Sequence, residues 1–214
     1  FAMSDRLPRI WIITDPDHPD GPIAPLRQAL ADCPRGLVGI QLRAPAASDR
    51  ELTRWGRELR TMTERTGCAL TINRRADIAK IVSADGVHLP ERGLPPSILR
   101  TRWPELPMIG TSRHDGAGLS DAGRDGAHYA FLSPVFDVPG KGEPIGLEGF
   151  RAAIDGVGIP TYALGGMTAD AVRPVLDAGG HGVAIRRAIY RSAEPRETLR
   201  RFLRELDKDL PRVE

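Results

Sequence analysis

Eight short apolar runs punctuate the chain: IWIIT (10–14), LVGIQLR (37–43), ALTI (69–72), DGVHL (85–89), PMIGT (107–111), HYAFLS (128–133), PTYALG (160–165) and HGVAI (181–185). Most are continuous rather than alternating, the pattern of parallel strands covered on both faces. The segments between them carry helical spacing. In SDRELTRWGRELRTMTERTG (48–67), Ser48 and Glu51 form a capping box. Leu52, Trp55, Leu59 and Met62 then share one face, and Gly67 stops the helix. Leu199, Phe202, Leu203 and Leu206 make a similar stripe behind Pro195. Eight strands alternating with helices predict a single-domain α/β fold, a (β/α)8 TIM barrel, over residues 10–208. Residues 1–9 and 209–214 are then short tails. The rival is a doubly wound open sheet, which eight strands and the lack of an early GxGxxG make a poorer fit.

Composition adds exclusions rather than a function. The 214 residues are 41% hydrophobic and 27% charged, ordinary for a globular chain with one sizeable core. A net charge of +2 gives no reason to expect nucleic acid or a membrane as partner. There is no uninterrupted apolar run long enough to span a bilayer. FAMSDRLPRI lacks the apolar stretch of a signal peptide, so a cytoplasmic location is expected. Phe1 and Ala2, ahead of Met3, read as a cloning remnant. Cys33 and Cys68 are too few for a disulfide framework and lack metal-ligand spacing, so two buried thiols are expected.

In a barrel, chemistry belongs at the C-terminal ends of the strands. That rule selects Asp15, Gln41, Arg43, Asn73, Arg74, His88, Ser112, His114, Lys141, Gly165, Gly166 and Arg186. The clearest local signal is LGGMTADAV (164–172). A strand ends in Gly165–Gly166, and Thr168 can cap the helix that follows. Paired glycines let backbone N–H groups approach an anion. HGVAIRRAI (181–189) brings Gly182 and then Arg186 and Arg187 alongside. Barrels commonly hold phosphate between the loops after strands seven and eight, so a phosphate site is expected here. The plainer alternative is that the two glycines only make a tight turn. His88 either faces the barrel mouth or sits in a satisfied hydrogen bond, and Asp15 either lines the mouth or caps the first loop.

Several motifs, in one order from about residue 10 to about residue 206, carry a resemblance: QLR (41–43), INRRADIA (72–79), ADGVHL (84–89), IGTSRH (109–114), SPVFDVPGK (133–141), GLEGF (146–150) and YALGGMT (162–168). Together they resemble the thiamine phosphate synthase and thiazole tautomerase (TenI-like) superfamily. The resemblance implies a phosphate-binding barrel acting on a thiazole phosphate. The synthase branch joins a pyrimidine pyrophosphate to the thiazole phosphate and releases pyrophosphate, with magnesium helping to hold the leaving group. A homodimer is implied by the resemblance alone.

The chain departs from the synthase pattern where magnesium is held. Pro45 replaces a Lys, Arg74 stands where the strand-three acid would be, and the second acid position falls on Gly93. An Arg cannot ligate a cation, though it can pair with a phosphate. Arg75 and Asp77 read as helix surface or a local ion pair. The tautomerase branch also lacks the acids, and its proton-transferring His matches His114. A His titrating near neutrality suits proton transfer to and from a ring carbon, needing no metal. The alternative for His114 is a structural hydrogen bond.

The leading expectation is therefore a thiazole tautomerase-like isomerase. His114 would move the proton, Gln41, Arg43, Asn73, Arg74 and Lys141 would contact substrate, and Gly165, Gly166, Ile185 and Arg186 would hold phosphate. It requires no cofactor and no metal. The alternative is a divergent thiamine phosphate synthase, a transferase in which Mg2+ matters or in which Arg43 and Arg74 take over part of its role. A third reading is a non-catalytic binder of a phosphate ligand. The Gly- and Pro-rich segment 137–146 is the expected mobile lid.

Overall fold

The structure is a computed structural model in which residues 7–207 are described. Eight strands pair in chain order: β1 (Ile10–Ile13), β2 (Val38–Leu42), β3 (Ala69–Asn73), β4 (Gly86–Leu89), β5 (Met108–Arg113), β6 (Tyr129–Leu132), β7 (Thr161–Leu164) and β8 (Gly182–Ile185). All are parallel, and β8 closes on β1. The closed barrel rules out the open sheet. Around it run α1 (Ala24–Ala29), α2 (Asp49–Thr66), α3 (Ala76–Ile81), α4 (Pro96–Arg102) and α5 (Gly116–Arg124). The ring continues with α6 (Gly146–Ile154), α7 (Val172–Asp177), α8 (Arg187–Tyr190) and α9 (Pro195–Asp207). The predicted tail residues 1–6 and 209–214 lie outside the described residues.

Strand register decides what faces the interior. Trp11 lies opposite Gly39, Gly110 opposite Tyr129, and Phe131 opposite Tyr162. The Trp11 and Tyr129 rings stack with centroids 5.1 Å apart, and Tyr162 meets Phe131 edge-on at 5.7 Å. These aromatic rings fill the barrel, and two glycines make room for them. A Cβ on Gly39 would meet the Trp11 ring at 2.6 Å, and one on Gly110 would meet the Tyr129 ring at 2.1 Å. Small residues thus face large ones at these two positions of the interior, which lets the rings pack closely. A second, larger core lies between the outer faces of the strands and the helices.

The predicted helix signals hold. Ser48 and Glu51 form the capping box of α2, and Gly67 ends it in the left-handed conformation at φ 70°. Leu52 and Leu59 are buried, while Trp55 and Met62 pack half-buried against the core. Leu199, Phe202 and Leu206 dock α9. The thiols differ from expectation. Cys68 is buried but Cys33 is only partly so, and the two sulfurs lie 3.8 Å apart. No helix among the described residues is long and apolar enough to cross a membrane.

Candidate active site

The inward row of each strand runs on past the aromatic layer into a cavity of about 1070 Å³ at the C-terminal end of the barrel. Gln41, Arg43, Asn73, Arg74, His114, Lys141, Gly165, Gly166, Ile185 and Arg186 all line it, joined by Ser112. Asp15 does not line it, although its charge is felt by Arg43. Arg75 stays outside as the plain reading anticipated, pairing with Asp49 and Asp77 on the surface.

Two small contacts fix the floor. Thr14 is fully buried, and its hydroxyl accepts from the Arg43 N–H at 2.8 Å and donates to the Arg43 carbonyl at 3.0 Å. That clamp sets where the Arg43 side chain starts. Thr14→Val should therefore strand a partly buried N–H and C=O. We expect a stability loss of about 1–3 kcal/mol, measured by denaturant unfolding, together with weaker binding of anionic ligands. Gln41 donates from Nε2 to Asn73 Oδ1 at 3.1 Å, tying β2 to β3 beneath the mouth.

The two histidines divide cleanly. His88 is buried, with Nδ1 3.2 Å from the Tyr129 hydroxyl and Nε2 2.9 Å from Ser112 Oγ. Burial, with Arg113 and Arg43 nearby, lowers its pKa to about 3. It is a neutral structural group. His114 sits at the rim, half-exposed. Its Nδ1 lies 2.5 Å from the Ser133 carbonyl oxygen, which accepts only, so the proton belongs on Nδ1. That leaves Nε2 on the side of Glu91. Glu91 Oε2 lies 3.5 Å from Nε2 and would balance the charged ring. Sequence reasoning passed over Glu91 and Arg92, which also line the cavity, although both follow β4 where the barrel rule points.

Gly165 and Gly166 take φ of 103° and 63°, as the tight strand exit requires. They serve packing as well as any ligand. The Gly165 carbonyl accepts from Phe136 N–H at 3.1 Å, joining the loops after β7 and β6. Thr168 differs from expectation: it precedes a 3-10 turn, Ala169–Ala171, and its side chain makes no capping hydrogen bond. Its hydroxyl is therefore not spent on the helix start.

Charge is the dominant property of the cavity. Arg43, Arg74, Arg92, Lys141, Arg186 and Arg187 line it, against the single carboxylate of Glu91. Among the described residues none of the six cations forms a salt bridge. Desolvation and the charges of Arg186 and Arg43 lower the Lys141 pKa, and desolvation, Arg186 and Arg74 lower that of Arg43. Like charges crowded together with few counter-charges favour an anion over a cation.

Comparison with known proteins places the chain. The profile described as Thiamine monophosphate synthase matches residues 10–189. The chain belongs to the thiamine monophosphate synthase family. A thiamine-phosphate synthase of Moorella thermoacetica is 37% identical over 184 residues, 83% of this chain and 84% of that protein. One from Natronomonas pharaonis is 32% identical over 210 residues, 95% and 97% of the two chains. The solved thiamine phosphate pyrophosphorylase of Pyrococcus furiosus superposes with a TM-score of 0.86 at 29% identity, covering 98% of this chain and all of that one. Every cavity residue named above falls inside the family match.

Membership in the family raises the question of magnesium, which wants carboxylate oxygens. The residues present do not fit it. Arg74 and Gly93 stand where the resemblance places the acids, and Glu91 is engaged with His114. No group of three or more His, Cys, Asp or Glu side chains among the described residues is arranged to hold a metal ion.

Proposed function

We propose that this chain is a thiamine phosphate synthase: it joins a pyrimidine pyrophosphate to a thiazole phosphate and releases pyrophosphate. The observation that carries this reading is the set of six unpaired cations facing one carboxylate. A monophosphate carries about two negative charges at neutral pH, and a diphosphate leaving group carries more. The cationic surplus suits a site that takes both. The names of the relatives at 32–37% identity support the same reading.

The chemistry follows from the charges. The bond from the pyrimidine methylene carbon to the diphosphate oxygen breaks, and that oxygen keeps the electron pair. Arg43, Arg74, Lys141 and Arg186 stabilise the charge that gathers there, in a part-buried mouth where Coulombic terms are strong. The thiazole nitrogen then supplies the electron pair for the new bond. Gly165, Gly166, Ile185 and Arg186 hold the thiazole phosphate, and Asn73 and Gln41 orient the ligand.

One observation favours the tautomerase reading as second. His114 turns Nδ1 to the Ser133 carbonyl and has Glu91 beside Nε2, an arrangement suited to a ring-carbon proton transfer. The test is thiamine phosphate formation by purified protein from the pyrimidine pyrophosphate and aromatic thiazole phosphate. Product is expected, and His114→Gln should retain most of the rate, because the transfer needs no base. A folded protein that makes no product but aromatises the thiazole tautomer, with loss of that activity in His114→Gln, would overturn the synthase reading.

A further inference from the structure

We propose that the barrel mouth binds a diphosphate group directly through its arginines, without a divalent cation, and that Arg74 is the residue that makes this so. The proposal rests on the synthase reading for its choice of ligand, and on the geometry of Arg74 for its substance.

Arg74 takes φ of 67°, one of two non-glycine residues among those described with positive φ. That conformation disfavours a long side chain and suits Gly, Asn or Asp. Two backbone hydrogen bonds hold the turn. Arg74 N–H donates to the His88 carbonyl at 2.9 Å, extending the β3–β4 ladder, and Arg75 N–H donates to the Asn73 carbonyl at 2.9 Å. An arginine held in an unfavourable conformation needs a reason, and neighbouring carboxylates do not supply one. The adjacent Arg75 has two, Asp49 and Asp77, while Arg74 lines the cavity with no salt bridge. Strain kept at a residue aimed into a site points to a ligand contact.

The neighbours complete the case. Arg43 is clamped by Thr14 and repelled by Arg74 and Arg186. Lys141 is repelled by Arg186, Arg43 and Arg187. A diphosphate relieves this repulsion and offers the oxygen pairs that guanidinium forks match. A magnesium ion would enter the same field as one more positive charge, and would meet Arg74 where a carboxylate ligand would otherwise stand. Magnesium therefore competes with the protein for the diphosphate.

The test is calorimetric binding of inorganic pyrophosphate to the purified chain, in EDTA and in excess magnesium at matched ionic strength. Binding is expected in EDTA, weakened severalfold when magnesium is added. Arg74→Asn removes the charge and suits the left-handed backbone, so it should fold at least as stably as the parent. It should weaken pyrophosphate binding in EDTA by roughly tenfold to a hundredfold. Binding that appears only with magnesium, no binding in either condition, or an Arg74→Asn variant that binds as tightly as the parent would overturn the proposal. Binding in EDTA without any thiamine phosphate formation would refute the proposed reaction and leave this inference standing. Product formed together with magnesium-dependent pyrophosphate binding would do the reverse.

Discussion

Acidification from about pH 7 to about pH 4 is expected to cost the barrel about 3 kcal/mol through His88 alone. The folded state holds this group neutral down to about pH 3, against an ordinary value of 6.5, because it is buried beside Arg113 and Arg43. The unfolded chain takes up the proton as pH falls through 6.5, and the folded chain does not. Between those values the unfolded state binds more protons, so stability falls as pH falls. Above pH 6.5 neither state is protonated and the effect vanishes. His181, lowered to about 4 by burial and Arg9, adds a loss in the same window. The check is denaturant unfolding of wild type and His88→Asn at both pH values. The variant gives up the contacts to Tyr129 and Ser112, and is expected to be less stable at neutral pH. Its further loss on acidification should be smaller than that of wild type by about 3 kcal/mol. Equal losses would show that His88 is not the buried neutral group described here.

The strands were readable because each is covered on both faces and so appears as a continuous apolar run. Their order then left little choice of closure. β5 runs on past the predicted Thr111 to Arg113, because its polar end still pairs with Phe131 and Leu132 of β6, a partner that local hydropathy cannot reveal. The same applies to the fit of Trp11 against Gly39 and of Tyr129 against Gly110, which only the closed register brings together. The candidate residues at strand ends were legible from the barrel rule, and the cavity gathers all of them except Asp15 and His88. Three features were not. Glu91 gains meaning only when the loop after β4 lies beside His114. Thr14 acts through the backbone of Arg43, the residue just past the end of the next strand. The left-handed conformation of Arg74 has no signal in its own residue type, because it goes with two backbone hydrogen bonds, one from Arg74 N–H to His88 of β4 and one from Arg75 N–H back to Asn73. Thr168 misled for the opposite reason: a capping residue type was present, but the turn it begins is too tight to use it.

Gly166→Ala is expected to lower stability by about 2–4 kcal/mol and to weaken thiazole phosphate binding at least tenfold. Two effects combine. At φ 63° an alanine is strained by about 1 kcal/mol relative to glycine. Its Cβ would also lie 2.7 Å from the Asp137 carbonyl oxygen and 2.7 Å from Phe136 Cβ. Both belong to the loop after β6, which is fastened to this turn by the bonds from Val135 N–H to the Leu164 carbonyl and from Phe136 N–H to the Gly165 carbonyl. The loop must move, and the segment leading to Lys141 moves with it, so a cation leaves its place at the mouth. Gly156→Ala separates the two effects. Gly156 has φ 69° but nothing within 4 Å of an added Cβ, and it follows α6 at the opposite end of the barrel. It should lose only about 1 kcal/mol and bind thiazole phosphate as wild type does. Thermal unfolding and calorimetric titration of the two variants side by side supply the measurement. Equal losses would mean that backbone strain alone governs the turn, and that the contact between the two loops does not hold the cationic mouth in shape.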